Sequence, residues 1–213
     1  MVDSTVHLRT WARARLLAGA GAALASTLLC PGDTGAQQGG APAWPIHPAS
    51  YPRPSHPATR ATGPIVIDGS PDEAAWEAAP PITRFIQARP NLGFPATERT
   101  EVRILFDARA LYVSCLCYDS EPDNLTVTSL ERDFGPLDSD VFSFVLNPDP
   151  ARQNAFLFYV NPSGALGDAQ TFDDNRVQNY AWDGVVEVET RLTDFGWTVE
   201  MAIPWTTLRF DGA

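Results

Sequence analysis

The stretch "TEVRILFDARALYVSCLCYD", residues 100–119, decides the fold. Over 100–107 the apolar Val102, Ile104 and Phe106 alternate with the charged Glu101 and Arg103. That two-residue period is the mark of a strand with one face turned to a core. The short break "DARA" (107–110) is of hairpin length, and "ALYVSCLCYD" (110–119) resumes the apolar run. Two neighbouring strands joined so tightly must pair antiparallel.

Outward from this hairpin the same texture recurs. "PIVIDG" (64–69), "DVFSFVLNP" (140–148), "QNAFLFYVNP" (153–162), "DGVVEVETRL" (183–192) and "FGWTVEMAIP" (195–204) are rich in aromatic and β-branched residues. Gly, Pro, Asn and Asp fall between them, as strand ends require. Short strands at regular spacing, with no long helical periods between them, predict an all-β protein: an antiparallel β-sandwich. No internal repeat is present.

One short helix interrupts the series. In "IDGSPDEAAW" (67–76), Ser70 stands three residues before Glu73, the spacing of a capping box. Pro71 suits the first helical position, and Asp72 and Glu73 suit the positive end of the helix dipole. Ala74, Ala75, Ala78 and Ala79 favour helix, and Pro80–Pro81 end it, which predicts a helix over 71–79. Trp76 is expected to face inward and close one end of the sandwich. Asp68 reads as the turn residue leaving the preceding strand.

The N-terminal region is of another kind. Arg9, Arg13 and Arg15 precede the apolar run "LLAGAGAALASTLL" (16–29) and then "CPGDTGAQQ". This is the layout of a secretory signal over 1–36, with a cut after Ala36. The run is too short to cross a bilayer as a helix. An exported protein is expected, secreted or held in the periplasm or at the cell surface. Residues 37–63 carry Pro at 42, 45, 48, 52, 54 and 57 and read as an extended linker, which leaves 64–213 as the folded domain.

Charge and residue usage narrow the chemistry. The formal net charge is −11, and loss of residues 1–36, with three Arg and two Asp, makes it −12. Such a surface repels phosphate backbones, so nucleic acid is excluded as the expected partner. His7, His47 and His56 all precede residue 60, which removes Ser–His and Cys–His catalysis and most zinc sites from the folded part. Cys115 and Cys117, at i and i+2 on one strand, read as small buried residues rather than a disulfide.

Four segments in order, "IDGSPDEAAW", "TEVRILFDARALYV", "DSDVFSFVLNP" and "GWTVEMAIPWTTLRF", resemble the family 9 carbohydrate-binding modules, over about residues 64–210. The likeness is to the form found at the N-terminus of large exported bacterial proteins. It implies a β-sandwich that binds plant or microbial polysaccharide without catalysis, often beside a glycoside hydrolase and often with structural calcium. The sugar of such modules lies between two tryptophans. At the first of these positions this chain has Leu137, and the second lies beyond the last matched segment. A polar acid of the family falls near Ser143 and an Arg near Tyr159.

Sugar recognition needs an aromatic plate for the C–H face of a ring and planar polar groups for its hydroxyls. The stretch "FDDNRVQNYAWDG" (172–184) offers both, in a segment without strand periodicity. With Tyr159 at the family's Arg position, the candidate sugar contacts are Tyr159, Tyr180, Trp182 and Asp183. The alternative for this stretch is that Trp182 plugs the sandwich edge while Asp and Asn form turns. A second acidic stretch, "ERDFGPLDSD" (131–140), holds Glu131, Asp133, Asp138 and Asp140. Calcium wants several oxygens from one loop, and Asp138 and Asp140 are the candidate ligands, against a solvated acidic turn.

The expected function is targeting, holding an attached protein or hydrolase near polysaccharide. Two alternatives are a docking domain at the cell surface, packed on a downstream domain or neighbouring protein, and a glycoside hydrolase in its own right. The latter needs two carboxylates facing across a cleft at about 5 or 6.5–9.5 Å, and no pair is singled out by sequence.

Overall fold

The structure, a computed structural model, describes residues 55–136, 139–148, 154–173 and 176–208, together with the strand Val6–His7. Apart from Val6–His7, the expected signal peptide lies outside the described residues, as does the linker up to Pro54.

Among the described residues, ten strands form two five-stranded sheets. The first is ordered β1 (Val6–His7), β5 (Phe142–Leu146), β6 (Asn154–Val160), β7 (Leu166–Phe172), β8 (Val177–Asn179). The second is ordered β2 (Thr59–Arg60), β3 (Thr100–Phe106), β4 (Ala110–Tyr118), β10 (Gly196–Pro204), β9 (Glu187–Thr193). Every pairing is antiparallel except β2 with β3. The hairpin of 100–119 forms as expected, with Ile104 opposite Val113. Its turn is closed by Asp107, whose Oδ1 accepts from the Arg109 and Ala110 N–H groups at 2.7 and 2.9 Å.

Alternation then builds the core. Val102, Val113, Val199 and Met201 from the second sheet meet Phe144, Phe158 and Val160 from the first. A fully buried side chain of this size contributes about 1.5–3 kcal/mol, an upper figure, so this layer rather than the turns holds the sheets together. Cys115 and Cys117 are free thiols on that inner side, with Sγ atoms 3.2 Å apart.

Three local expectations are corrected. "PIVIDG" forms no strand: Ile65 and Ile67 pack beside the helix, and the paired segment is Thr59–Arg60, at the end of the Pro-rich stretch. The helix is a single turn, Ala74–Ala78, preceded by an extended Glu73 with no side-chain cap. The capping box is not made, because both partners are engaged elsewhere. Glu73 Oε1 accepts from the Val66 N–H at 2.8 Å, and the Ser70 N–H donates to Asp68 at 2.8 Å. Trp76 is buried, but it covers the outer face of the second sheet, against Leu105, Tyr112 and Ala202, instead of closing an end.

Glu200 on β10 holds this flap. Its Oε1 accepts from the Trp76 indole at 3.0 Å, and its Oε2 from the backbone N–H of Asp68 and Gly69 at 3.1 and 3.0 Å. Gly69 has φ +82, and a Cβ there would lie 2.9 Å from the Thr190 carbonyl carbon. Only glycine lets the loop approach so closely.

Candidate functional site

Strand β7 was not legible as a strand, yet the site is built on it. β8 pairs only with Gln170–Phe172, which leaves the Leu166–Ala169 edge without a strand neighbour on that side. The 126–140 loop fills the gap. Asp133, at φ 58, donates its N–H to the Leu166 carbonyl at 3.0 Å, and its Oδ1 accepts from the Asp168 N–H at 3.4 Å. The loop's entry is fixed by Asn161, whose amide donates to the Ser129 carbonyl at 2.7 Å. Its two limbs are tied by Thr128 to Ser139 and by the Thr126 N–H to Asp140 Oδ2 at 2.6 Å.

The residue before Asp133 joins this loop to the one after β8. Arg132 Nη2 donates to Asp168 Oδ2 at 2.6 Å and to the Gly184 carbonyl at 3.3 Å, and its Nε donates to Asp183 Oδ1 at 2.9 Å. Asp168 Oδ2 also accepts from the Gly184 N–H at 3.2 Å. Asp168 is 0% exposed, and its Oδ1 has no hydrogen-bond partner among the described residues. Burial pushes its carboxyl up to about 6, aided by Asp133 and Asp183, while the Gly184 N–H and Arg132 pull the other way.

The residue after Asp133 turns inward. Phe134 packs edge-on to Tyr159, with ring centroids 5.2 Å apart. Tyr159 is only 2% exposed, and its phenol is pushed up to about 12 by burial first, then by Asp133, Tyr180 and Asp168.

The sequence candidates therefore separate. Asp183 sits on the rim, its side chain 75% exposed and paired with Arg132. Tyr180, 49% exposed, is also on the surface, with its hydroxyl donating to Gln178. Trp182 packs on Phe156 and Phe158, at centroid distances of 4.9 and 6.0 Å, and fills the sandwich edge. Tyr159 lies beneath Phe134 and is not part of the open surface. Asp138 and Leu137 fall outside the described residues, and Asp140 spends one oxygen on the Thr126 N–H. No three His, Cys, Asp or Glu side chains converge as metal ligands among the described residues.

Arg132 and Asp168 are the residues that sequence reasoning passed over. Arg132 is the one base in an acidic run, which is a usable signal. Asp168 gave none, because "LGDAQTF" lacks apolar alternation.

What the Arg132–Asp183 pair can do chemically is hydrogen-bond a polar ligand. Residues 67–212 match the family described as "Carbohydrate family 9 binding domain-like". No curated protein matches the chain. Among solved structures, it is similar to a putative carbohydrate-binding protein from Bacteroides uniformis ATCC 8492, with 12% identity, a TM-score of 0.58, and coverage of 73% of this chain and 75% of that one. It is also similar to a family 9 carbohydrate-binding module from Caldicellulosiruptor kristjanssonii in complex with cellotriose, at 20% identity and a TM-score of 0.49, over 69% of this chain. It spans 66% of the length of that module. A glucose complex of a family 9 module from the same organism gives 18% identity and a TM-score of 0.49, covering 73% of this chain and 71% of that one. The fold is thus shared with the Bacteroides uniformis protein, and the family match spans more than half of the sequence: the chain belongs to the carbohydrate family 9 binding domain-like family.

Proposed function

We propose that this chain is an exported module that binds polysaccharide or oligosaccharide and holds an attached protein, such as a glycoside hydrolase, close to it. Family membership supports the ligand class. The single structural observation that carries the reading is the rim, where Asp183 stands in the open paired with the Arg132 guanidinium and Tyr180, three residues earlier in the chain, is also exposed. An aromatic face, a carboxylate and a planar cation are the group types that meet a sugar's C–H and O–H surfaces. Tethering raises local concentration without altering any bond, which suits a module with no assigned catalytic pair. Export rests on the Arg-then-apolar segment at the N-terminus.

The test is isothermal titration calorimetry of the full chain against soluble β-glucan, xylan and galactomannan. Saturable heat with one of them is expected. A folded chain that gives no binding heat with any of them contradicts the reading.

One observation favours a second reading. At two positions where the resemblance places sugar contacts, the chain has Leu137 and a Tyr159 buried under Phe134. A sandwich so altered serves instead as a docking domain for a downstream domain or a cell-surface protein. It predicts a stable complex with the rest of the parent protein and no affinity for glycans.

A further inference from the structure

We propose that Arg132 and Asp183 form a donor–acceptor fork for neighbouring hydroxyls of an uncharged sugar, with Asp168 beneath as the positioning residue. This rests on the glycan-binding reading above and adds the contact residues and the ligand's charge class.

Of the five N–H groups of the Arg132 guanidinium, Nε serves Asp183, and Nη2 serves Asp168 and the Gly184 carbonyl. Nη1 makes no hydrogen bond among the described residues, and the side chain is 40% exposed. Asp183 likewise commits only Oδ1 among the described residues, and its side chain is 75% exposed. Among the described residues, then, the two Nη1 donors and Asp183 Oδ2 have no partner, on side chains already bonded to each other. Adjacent hydroxyls of a pyranose ring present the complementary pair, one accepting from Nη1 and the next donating to Asp183.

The fork is held from below. Asp168 is wholly buried, and its Oδ2 gathers both the guanidinium and the Gly184 N–H, fixing the cation relative to the segment that bears Asp183. A buried carboxylate with one oxygen unpartnered is costly, and here it holds a part-exposed Arg in one position, as a built site requires.

Charge selects the ligand. Asp133, Asp168 and Asp183 surround the single positive Arg132, on a chain with a net charge of −11. Uronate or sulfate groups meet like charge there, whereas hydroxyls do not.

The experiment is isothermal titration calorimetry of the full chain with three probes: soluble β-glucan, xylan and polygalacturonate. Asp183→Ala alters an exposed side chain and is the primary variant, with its melting curve as the fold control. Arg132→Lys keeps the charge but loses the fork, and Asp183→Asn keeps an acceptor. The expected result is binding of a neutral probe, weakened about ten-fold or more by Asp183→Ala and by Arg132→Lys. Asp183→Asn should recover part of the loss, and the loss in Asp183→Ala should come with an unchanged melting temperature, which a merely structural role would not produce. Neutral-glycan binding that is unchanged in both Asp183→Ala and Arg132→Lys overturns the fork and leaves the glycan-binding reading standing. Tighter binding of polygalacturonate overturns the charge selection. Binding of none of the three probes overturns the glycan-binding reading and the fork with it.

Discussion

Tyr159 lies across Gly167, its directly opposed partner on β7, and its ring occupies the space that a side chain at 167 would need. Phe134 closes over the other side of the ring. This stack seats the 126–140 loop on the sheet, and through the next two residues back along the chain it places Arg132 and the rim.

The stack makes the sign of one substitution diagnostic. Gly→Ala within a strand ordinarily stabilises by about 0.4–1 kcal/mol where the backbone permits it. At Gly167 the new methyl overlaps the Tyr159 ring, so Gly167→Ala should destabilise by about 1–3 kcal/mol. The midpoint of a urea unfolding curve reads this, and a midpoint that is unchanged or higher contradicts the placement of Tyr159.

Trp182 tests whether an aromatic of the 172–184 segment is structure or ligand plate. Packed on Phe156 and Phe158 and partly buried, it should cost about 3 kcal/mol when replaced by Ala, the low end for a large aromatic. A loss below about 0.5 kcal/mol in urea unfolding is the figure for a surface residue and would return Trp182 to the ligand-facing side.

Glu200 gives a pH dependence. Burial first, then Glu73 and Asp68, push its carboxyl up to about 7, while the Asp68 N–H and the Trp76 indole oppose this. A raised carboxyl binds its proton more tightly folded than unfolded. Its contribution is therefore complete below the ordinary carboxylate range and is lost as pH rises towards 7. Asp168, raised to about 6, adds in the same direction. The melting temperature should fall between pH 4.5 and 7.5, and Glu200→Gln should flatten that fall. The same change leaves one N–H donor site without its acceptor, costing about 1–3 kcal/mol at pH 5. A melting temperature that rises over this range contradicts the assignment.

The two core cysteines should stay reduced. Burial first, then hydrogen bonding to Cys117, pushes the Cys115 thiol well above its usual range, which leaves little thiolate to react. In the folded protein Cys115 should resist a thiol-reactive probe and become available only on denaturation. Rapid labelling of Cys115 in the native state, read by peptide mass, contradicts its burial.

The strands that carry alternation were legible: β3, β4, β6 and β10 fall within a few residues of their sequence expectation. Strand β7 was not. Its centre is Gly167, Asp168 and Ala169, and each is there for a contact that no local pattern shows: room for Tyr159, an anchor for Arg132, and a small residue in a fully buried row. The Ser70–Glu73 spacing was legible but misleading, because a long-range acceptor, Glu200, draws Asp68 and Gly69 onto the sheet and sets where the helix can start. Of the site, Asp183 and Tyr180 could be read as polar and aromatic residues of a loop. The pairing that makes them a rim could not, since Arg132 lies 51 residues before Asp183.

The most direct test of glycan binding at the rim is affinity electrophoresis of the full chain in native gels cast with and without soluble neutral polysaccharide, beside Asp183→Ala and Tyr180→Ala. The account predicts that the wild-type chain is retarded by the polysaccharide and that both variants run closer to their mobility in the plain gel. Equal mobility of all three chains in both gels, with each chain folded, would contradict it.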